Sequence, residues 1–498
     1  MDKKKVLLVV MVALAIVSIF AFSRQVAPTS KADEAGKGQT TQEQNADGTK
    51  ENEEAKDEQE AVQPEAPAKD EGVVYISASK LNVREEAKKD AGIVDSLMKG
   101  SAVKIIEEKT DENNENWYKI GFDGMKGEAS GWIAASFTVE DRTELLSEEL
   151  KKLDYSPQVK TFEYPNNPRV KVKGIYLTLY SASNNRLDEL IELSKRTQIN
   201  TFVIDVKDDN GHMLFKTKAA EKYSPDANAK APVKDIEALM KKLKENNIYT
   251  IARIVSFKDP TYTKQHKDRA IVYRATGEPF TNSDGLIWAS AHDRDLWNYN
   301  IEVSKEAAEA GFNEIQFDYV RFPASNGGKL DKQLDYRNTK GESKPETIQN
   351  YLKFAREQLA PLNVYISADI YGLVGSVADD MALGQYWEAV SNVVDYVSPM
   401  MYPSHYANGT YGLSIPDAFP YETIYHSTKD SVNRNKNIQT PATIRPWIQA
   451  FTAPWVKGHI KYNAKEVADQ IRALEENGVD EYLLWNAGNK YPEEAVKK

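Results

Sequence analysis

The stretch Glu314-Ile315-Gln316-Phe317-Asp318-Tyr319-Val320-Arg321-Phe322-Pro323 decides how the chain is read. Apolar and aromatic residues dominate it and Pro323 stops it, which is the composition of a buried strand. Asp318 interrupts the run, and a carboxylate in a buried strand needs a partner because an unpaired buried charge is costly. Arg321 is a candidate partner, although alternation along a strand puts it on the face opposite Asp318. A structural Asp–Arg pair would account for this stretch alone. Other strand-like stretches repeat the arrangement, and that argues for more.

On either side of this stretch the chain alternates strand and helix. Strands are expected over 172–180, 201–206, 249–255, 314–322, 364–370, 396–401, 444–449 and 481–485, with helices between them. The segment 233–246 carries Ile236, Leu239, Met240 and Leu243 on one stripe, as a packed helix does. The segment 464–476 opens with Asn463 and Glu466 at capping spacing and closes at Gly478. Eight strands alternating with helices predict an α/β (β/α)8 barrel over 172–498.

Upstream, residues 72–139 hold short strands and turns at the spacing of a small all-β barrel. Residues 140–171 read as a connector, helical around Leu145, Leu146, Leu150 and Leu153 and then rich in proline. Residues 24–71 are polar and nearly free of aromatics, so a disordered linker is expected there. Residues 1–23 begin with lysines and continue as an apolar run from Val6 to Phe22. That pattern is a signal peptide or an uncleaved membrane anchor, and either implies export to the cell envelope or beyond.

The chain has 498 residues, a net charge of -11, six histidines and no cysteine. The acidic balance argues against a nucleic-acid partner. Without cysteine there is no disulfide framework and no thiolate metal site. No histidine pair has metal-binding spacing, so no metal and no cofactor is expected.

In a (β/α)8 barrel the active site lies at the carboxyl ends of the strands. The polar residues there are Asp205 and Lys207 on strand two, Arg253 on strand three, Asp318 and Arg321 on strand four, and Asp369 with Tyr371 on strand five. Strand six ends in Met401-Tyr402-Pro403-Ser404-His405. Strand seven offers Arg445, Trp447 and Gln449, and strand eight Trp485 and Asn486. Carboxylates and aromatics converging on one rim suit a carbohydrate, with its apolar ring faces and many hydroxyls. Two carboxylates flanking a scissile bond perform glycoside hydrolysis. Asp318 is expected as nucleophile or transition-state stabiliser and Asp369 as general acid/base, with Asp205 the rival for either role. Lys207, Arg253, Arg321, Tyr402, His405, Gln449, Trp485 and Asn486 are the expected sugar contacts. Trp288, in the long third loop, is a stacking platform or that loop's own core.

Several stretches together resemble a family of bacterial glycoside hydrolases with TIM barrels: GIYLT at Gly174, VIDVKDDNG at Val203, ARIVSFKD at Ala252, IQFDYVRFP at Ile315, SADIYG at Ser367, SPMMYPSHY at Ser398 and LLWNAGN at Leu483. The resemblance spans about 172–489. It implies the nucleophile role for Asp318, as in retaining α-glycosidases, and makes Asp369 the acid/base candidate. The end of strand six also resembles chitinase-type barrels, but their strand-four D-x-E is absent, since Val320 stands two residues after Asp318. LNVR, the turn at Gly100 to Val103, WYKI and GWI resemble the bacterial SH3-like domains of exported wall proteins. That likeness implies a polysaccharide or peptidoglycan partner. From a different class comes the alternative of a barrel that binds or organises wall polymer without cleaving it. A metal-dependent deacetylase is a third reading.

Overall fold

A computed structural model describes residues 72–124 and 127–498, and the expected export segment and linker lie outside these residues. Eight parallel strands close into a barrel: Lys173–Leu177, Thr201–Lys207, Tyr249–Val255, Glu314–Asp318, Tyr365–Tyr371, Tyr396–Met401, a broken seventh strand, and Tyr482–Trp485. Each pairs with the next in order, and the eighth returns to the first through Leu483 opposite Gly174. The seventh strand comes in two pieces, Thr443–Ile444 and Trp447–Gln449. Pro446 lies in the gap, where it has no N–H to give to a ladder.

Side chains alternate between two cores, as the pleat requires. Ile175, Phe202, Ile204, Ile254, Ile315, Phe317, Ile366, Ala368, Val397 and Leu484 face the surrounding helices. Tyr176, Val203, Tyr249, Ile251, Tyr365, Tyr396, Trp447 and Leu483 fill the barrel. The helix Ala464–Glu476 has the expected capping box of Asn463 and Glu466. The helix Arg294–Ala310 ends at Gly311, whose φ of 108° is left-handed.

The strand containing Asp318 is shorter than its sequence suggests. It ends at Asp318, because Tyr319 takes a left-handed φ of 48°. Arg445, expected at the catalytic rim, sits at the opposite end of the barrel. Its Nη1 donates to both oxygens of Glu314 at 2.8 Å and its Nε to Glu481 at 2.8 Å. Its guanidinium lies 3.5 Å from the Tyr396 ring. The connector is not one helix but a 3-10 turn, Arg142–Leu145, and a short α-helix, Glu148–Lys151. Further along, Lys160 runs under the barrel and donates to the carbonyls of Ser391, Val394 and Thr440 at 2.7–2.9 Å. Burial lowers its pKa to about 7.

Residues 73–139 form a small seven-stranded antiparallel sheet. Trp117 is in its core, with Nε1 donating to Asp111 at 3.2 Å, and Trp132 is half-buried. Among the described residues no helix is long and apolar enough to cross a membrane.

Removing one partner of a buried ion pair costs about 3–5 kcal/mol, because the other is left buried and uncompensated. Arg445→Leu strands Glu314 and Glu481 and is expected to lower stability by that amount in urea denaturation. A loss under about 1 kcal/mol would show that this cluster does not hold the barrel floor.

Candidate active site

Arg253 is the centre of the rim. It stands on the third strand, inward of Ala252 and Ile254 and one layer above Ile251. Its Nε and Nη2 donate to Oδ2 of Asp318 at 2.9 and 2.6 Å, and its Nη1 donates to Oδ1 of Asp205 at 2.6 Å. Asp209 lies 3.3 Å from Nη2. Asp209 also pairs with Lys258 at 2.8 Å, and these two cations, outweighing its burial, hold its carboxyl well below the usual range. The partner of Asp318 is therefore Arg253 from the neighbouring strand and not Arg321.

Asp369 has a different environment. Gln316 pairs with Ser367 and Phe317 with Ala368, so continuing the register sets Asp318 and Asp369 side by side on strands four and five. No cation touches Asp369 among the described residues; it accepts one hydrogen bond, from Trp447 Nε1 at 2.7 Å. Burial, and then the negative charge of Asp318, push its pKa well above the ordinary carboxylate value. Two carboxylates in adjacent positions thus sit in unlike settings, one held by a guanidinium and the other buried without one. Asp205 is intermediate. Burial raises it to about 7 against the pull of Arg253, and Tyr176 Oη donates to it at 2.5 Å.

The strand ends are braced from beneath. Asp318 Oδ1 accepts from its neighbour Tyr319 N at 2.5 Å across the left-handed turn. Gln385 donates to the carbonyls of Asp369 and Val320 at 3.1 and 3.3 Å and accepts from Tyr371 N at 2.9 Å. It ties strand four to strand five. A bulky aromatic in the left-handed region costs about 1–3 kcal/mol, and such strain collects at functional sites. Nothing in the sequence marked either feature, because both depend on the chain's path after Asp318.

The rim above is aromatic. Trp485 is half-buried and stacks on Tyr176 at 4.1 Å, and Trp447 meets Trp485 edge-on at 5.4 Å. Tyr402 is buried beside the acids; burial and then the charges of Asp369 and Asp318 raise its hydroxyl. Phe451 meets Tyr402 edge-on at 5.9 Å and stacks with the exposed Trp455 at 6.0 Å. His405 is half-buried, and burial lowers it to about 4, so it is neutral at pH 7. Tyr319, Arg321, Tyr371 and Met400 are also half-buried. The acids form the floor under this ring, with Asp318 only 4% and Asp369 1% exposed. Two surface hollows of about 560 and 220 Å³ lie away from this rim, on the connector side and beside Tyr491.

Three expected contacts, Lys207, Gln449 and Asn486, have other places, and of the two readings of Trp288 the loop core holds. Lys207 is fully buried, with Nζ 2.7 Å from Asp259 and donating to Asn300 on a surrounding helix at 2.7 Å. A bulge causes this: Arg253 pairs with Asp205 but Ile254 pairs with Lys207, which turns Lys207 outward. Gln449 is also fully buried, accepting from Ser404 N at 3.0 Å and donating to Asp417 at 3.0 Å, so it ties two loops together. Asn486 donates to the Ala450 carbonyl at 2.6 Å and holds the last loop. Trp288 is 0% exposed, within its own loop. Among the described residues no group of three or more His, Asp or Glu side chains could hold a metal ion.

A closed (β/α)8 barrel with unlike carboxylates on strands four and five is the framework of a glycosidase. The chain belongs to the DUF4015 family, described as "Putative glycosyl hydrolase domain", whose model matches residues 174–491. A bacterial SH3 domain model matches residues 79–139. Among solved structures, a hypothetical protein from Ruminiclostridium thermocellum is 35% identical, over 39% of this chain and 96% of that one, at a TM-score of 0.35. The glycoside hydrolase domain of PgaB (BpsB) from Bordetella bronchiseptica is 13% identical, over 64% and 94%, at 0.45. The spore cortex-lytic enzyme SleL of Bacillus megaterium is 12% identical, over 66% and 74%, at 0.39. No curated protein matches.

The raised pKa of Asp369 has a stability consequence. Below the ordinary value of 3.8 the carboxyl is protonated whether folded or unfolded. As pH rises past that value the unfolded chain releases the proton and the folded chain keeps it, so folding loses stability. Asp369→Asn, which keeps the acceptor for Trp447, is expected to melt above wild type at pH 8, with the gap closing toward pH 4. Equal melting temperatures at both pH values would contradict a protonated Asp369.

Proposed function

We propose that the barrel cleaves a glycosidic bond in a cell-wall or extracellular polysaccharide, with Asp369 as general acid/base and Asp318 as nucleophile or transition-state stabiliser. The observation that carries this reading is the unlike setting of the two carboxylates: one held by Arg253, the other buried without a cation. A general acid must hold its proton at working pH, and burial beside a negative charge favours that. Asp369 gives its proton to the leaving oxygen while Asp318 meets the positive charge developing at the anomeric carbon. Arg253 fixes Asp318 and shares its charge with Asp205. Trp485 and Phe451, half-buried at the rim, offer faces to pyranose rings. The SH3 domain would hold the enzyme on the wall, with peptidoglycan as its partner. Exported action at the envelope, by cleaved or uncleaved N-terminal segment, goes with this reading.

One observation favours the second reading, a barrel that binds wall polymer without cleaving it. Both acids are nearly closed off from solvent. Under the hydrolase reading the side chains of the rim must part for the sugar.

The two readings separate on an assay of wall and extracellular polysaccharides for released reducing ends. Wild type is expected to cleave at least one. Asp318→Ala and Asp369→Ala are expected to lose about 10²–10⁴-fold or more in kcat. An aryl glycoside with a good leaving group needs no proton, so it should restore rate to the Asp369 variant but not to the Asp318 variant. Binding by all three proteins with cleavage by none would establish the scaffold reading.

A further inference from the structure

The cations of the rim are unequally compensated. Arg253 is shared among Asp318, Asp205 and Asp209. Lys258 pairs with Asp209 at 2.8 Å and with Asp284 at 3.4 Å. Arg321 has no carboxylate within ion-pair distance among the described residues. Its one hydrogen bond runs from Nη1 to the carbonyl of Phe322 at 3.0 Å.

The guanidinium is nonetheless held in place. It lies 4.8 Å from the ring of Trp288 and 5.1 Å from that of Tyr319. Trp288 is fully buried, and Tyr319 is fixed by the left-handed turn that follows Asp318. That turn ends the strand and brings Arg321 to the rim, where Asp318, Tyr319, Tyr371 and Asp284 are the groups whose charge it senses. Burial pulls Arg321 below the ordinary arginine value, whereas Arg253, Arg434 and Arg445 are raised by their carboxylates against the same effect.

A guanidinium flanked by rings has its N–H edge left to offer. That edge matches a carboxylate in two parallel hydrogen bonds, and such a charge-assisted fork is stronger than a bond to a hydroxyl. A half-buried cation without a counter-charge is also the group that gains most from receiving one. A neutral sugar would leave this charge uncompensated as it covered the rim.

We propose that Arg321 is a specificity-determining residue that receives the carboxylate of an acidic sugar, seated next to the ring held over Asp318. The polymer cleaved would then carry carboxylates along its chain, either as uronic acids or as the lactyl ether of muramic acid. This deepens the glycosidase reading and rests on it for the identity of the ligand, but its test does not require cleavage.

The test is calorimetric titration of the full chain with two carboxylated probes. One is a tetrasaccharide alternating glucuronic acid and N-acetylglucosamine, and the other the disaccharide of N-acetylglucosamine and N-acetylmuramic acid. Each is compared with its carboxyl-reduced form. Wild type is expected to bind one acid form about tenfold or more tighter than its reduced form. Which probe shows the preference distinguishes the two sources of carboxylate. Arg321→Gln should abolish the preference by weakening only the acid form, and Arg321→Lys should keep part of it. Equal binding of acid and reduced forms, an unchanged preference in Arg321→Gln, or no binding of either acid would overturn the proposal. A preference that depends on Arg321 in a protein that cleaves nothing would uphold it while removing the glycosidase reading.

Discussion

The rim of this barrel depends on how one guanidinium is shared. Arg253 rises from the third strand between carboxylates on the second and fourth, and its three nitrogens are shared by Asp205 and Asp318 and, at 3.3–3.4 Å, by Asp209 just past the second strand. A planar group with five donors can do this, and an ammonium cannot hold the same geometry. Because Arg253 is engaged in that direction, Asp369 one strand further on receives no cation of its own. Among the described residues its only direct support is the indole N–H of Trp447. The difference in setting between the two acids comes from Arg253 on one side and from burial beside Asp318 on the other.

The framework serves this division. Arg445 gathers Glu314 and Glu481 at the floor of the barrel, far from the rim, so the charges of the two ends are satisfied separately. Between them lies a quieter layer in which Gln316 donates to Ser398 at 3.3 Å. At the rim the backbone departs from regular strand three times: the bulge before Lys207, the left-handed turn at Tyr319, and the break at Pro446. Each departure redirects the residues that follow it. The first removes Lys207 from the site, the second places Arg321 in it, and the third separates Arg445 at the floor from Trp447 at the rim.

Those departures also mark the limit of reading the sequence. Asp205, Arg253, Asp318 and Asp369 lie near one another because their strands stay regular up to these residues, so their places near the strand ends are readable from spacing. Spacing also made the barrel itself and the capped helix after Asn463 legible. Lys207 was misread because a bulge shifts the face of every residue after it, and bulges leave little trace in composition. Arg445 was misread because its depth along a broken strand depends on where the break falls. Gln449 and Asn486 looked like sugar contacts because polar residues at strand ends serve equally to tie loops. Arg253 and Arg321 both stand as possible partners of Asp318 in the sequence, and the left-handed turn at Tyr319, which the sequence does not show, decides for Arg253.

The central claim is that burial beside Asp318 keeps the Asp369 carboxyl protonated at neutral pH. It is tested most directly by carbon-13 NMR titration of carboxyl-labelled aspartates in the full chain, with Asp369→Asn used to assign its signal. The account predicts that the Asp369 carboxyl still carries its proton at pH 7. A titration of Asp369 near 4, the ordinary range for an exposed aspartate, would contradict it.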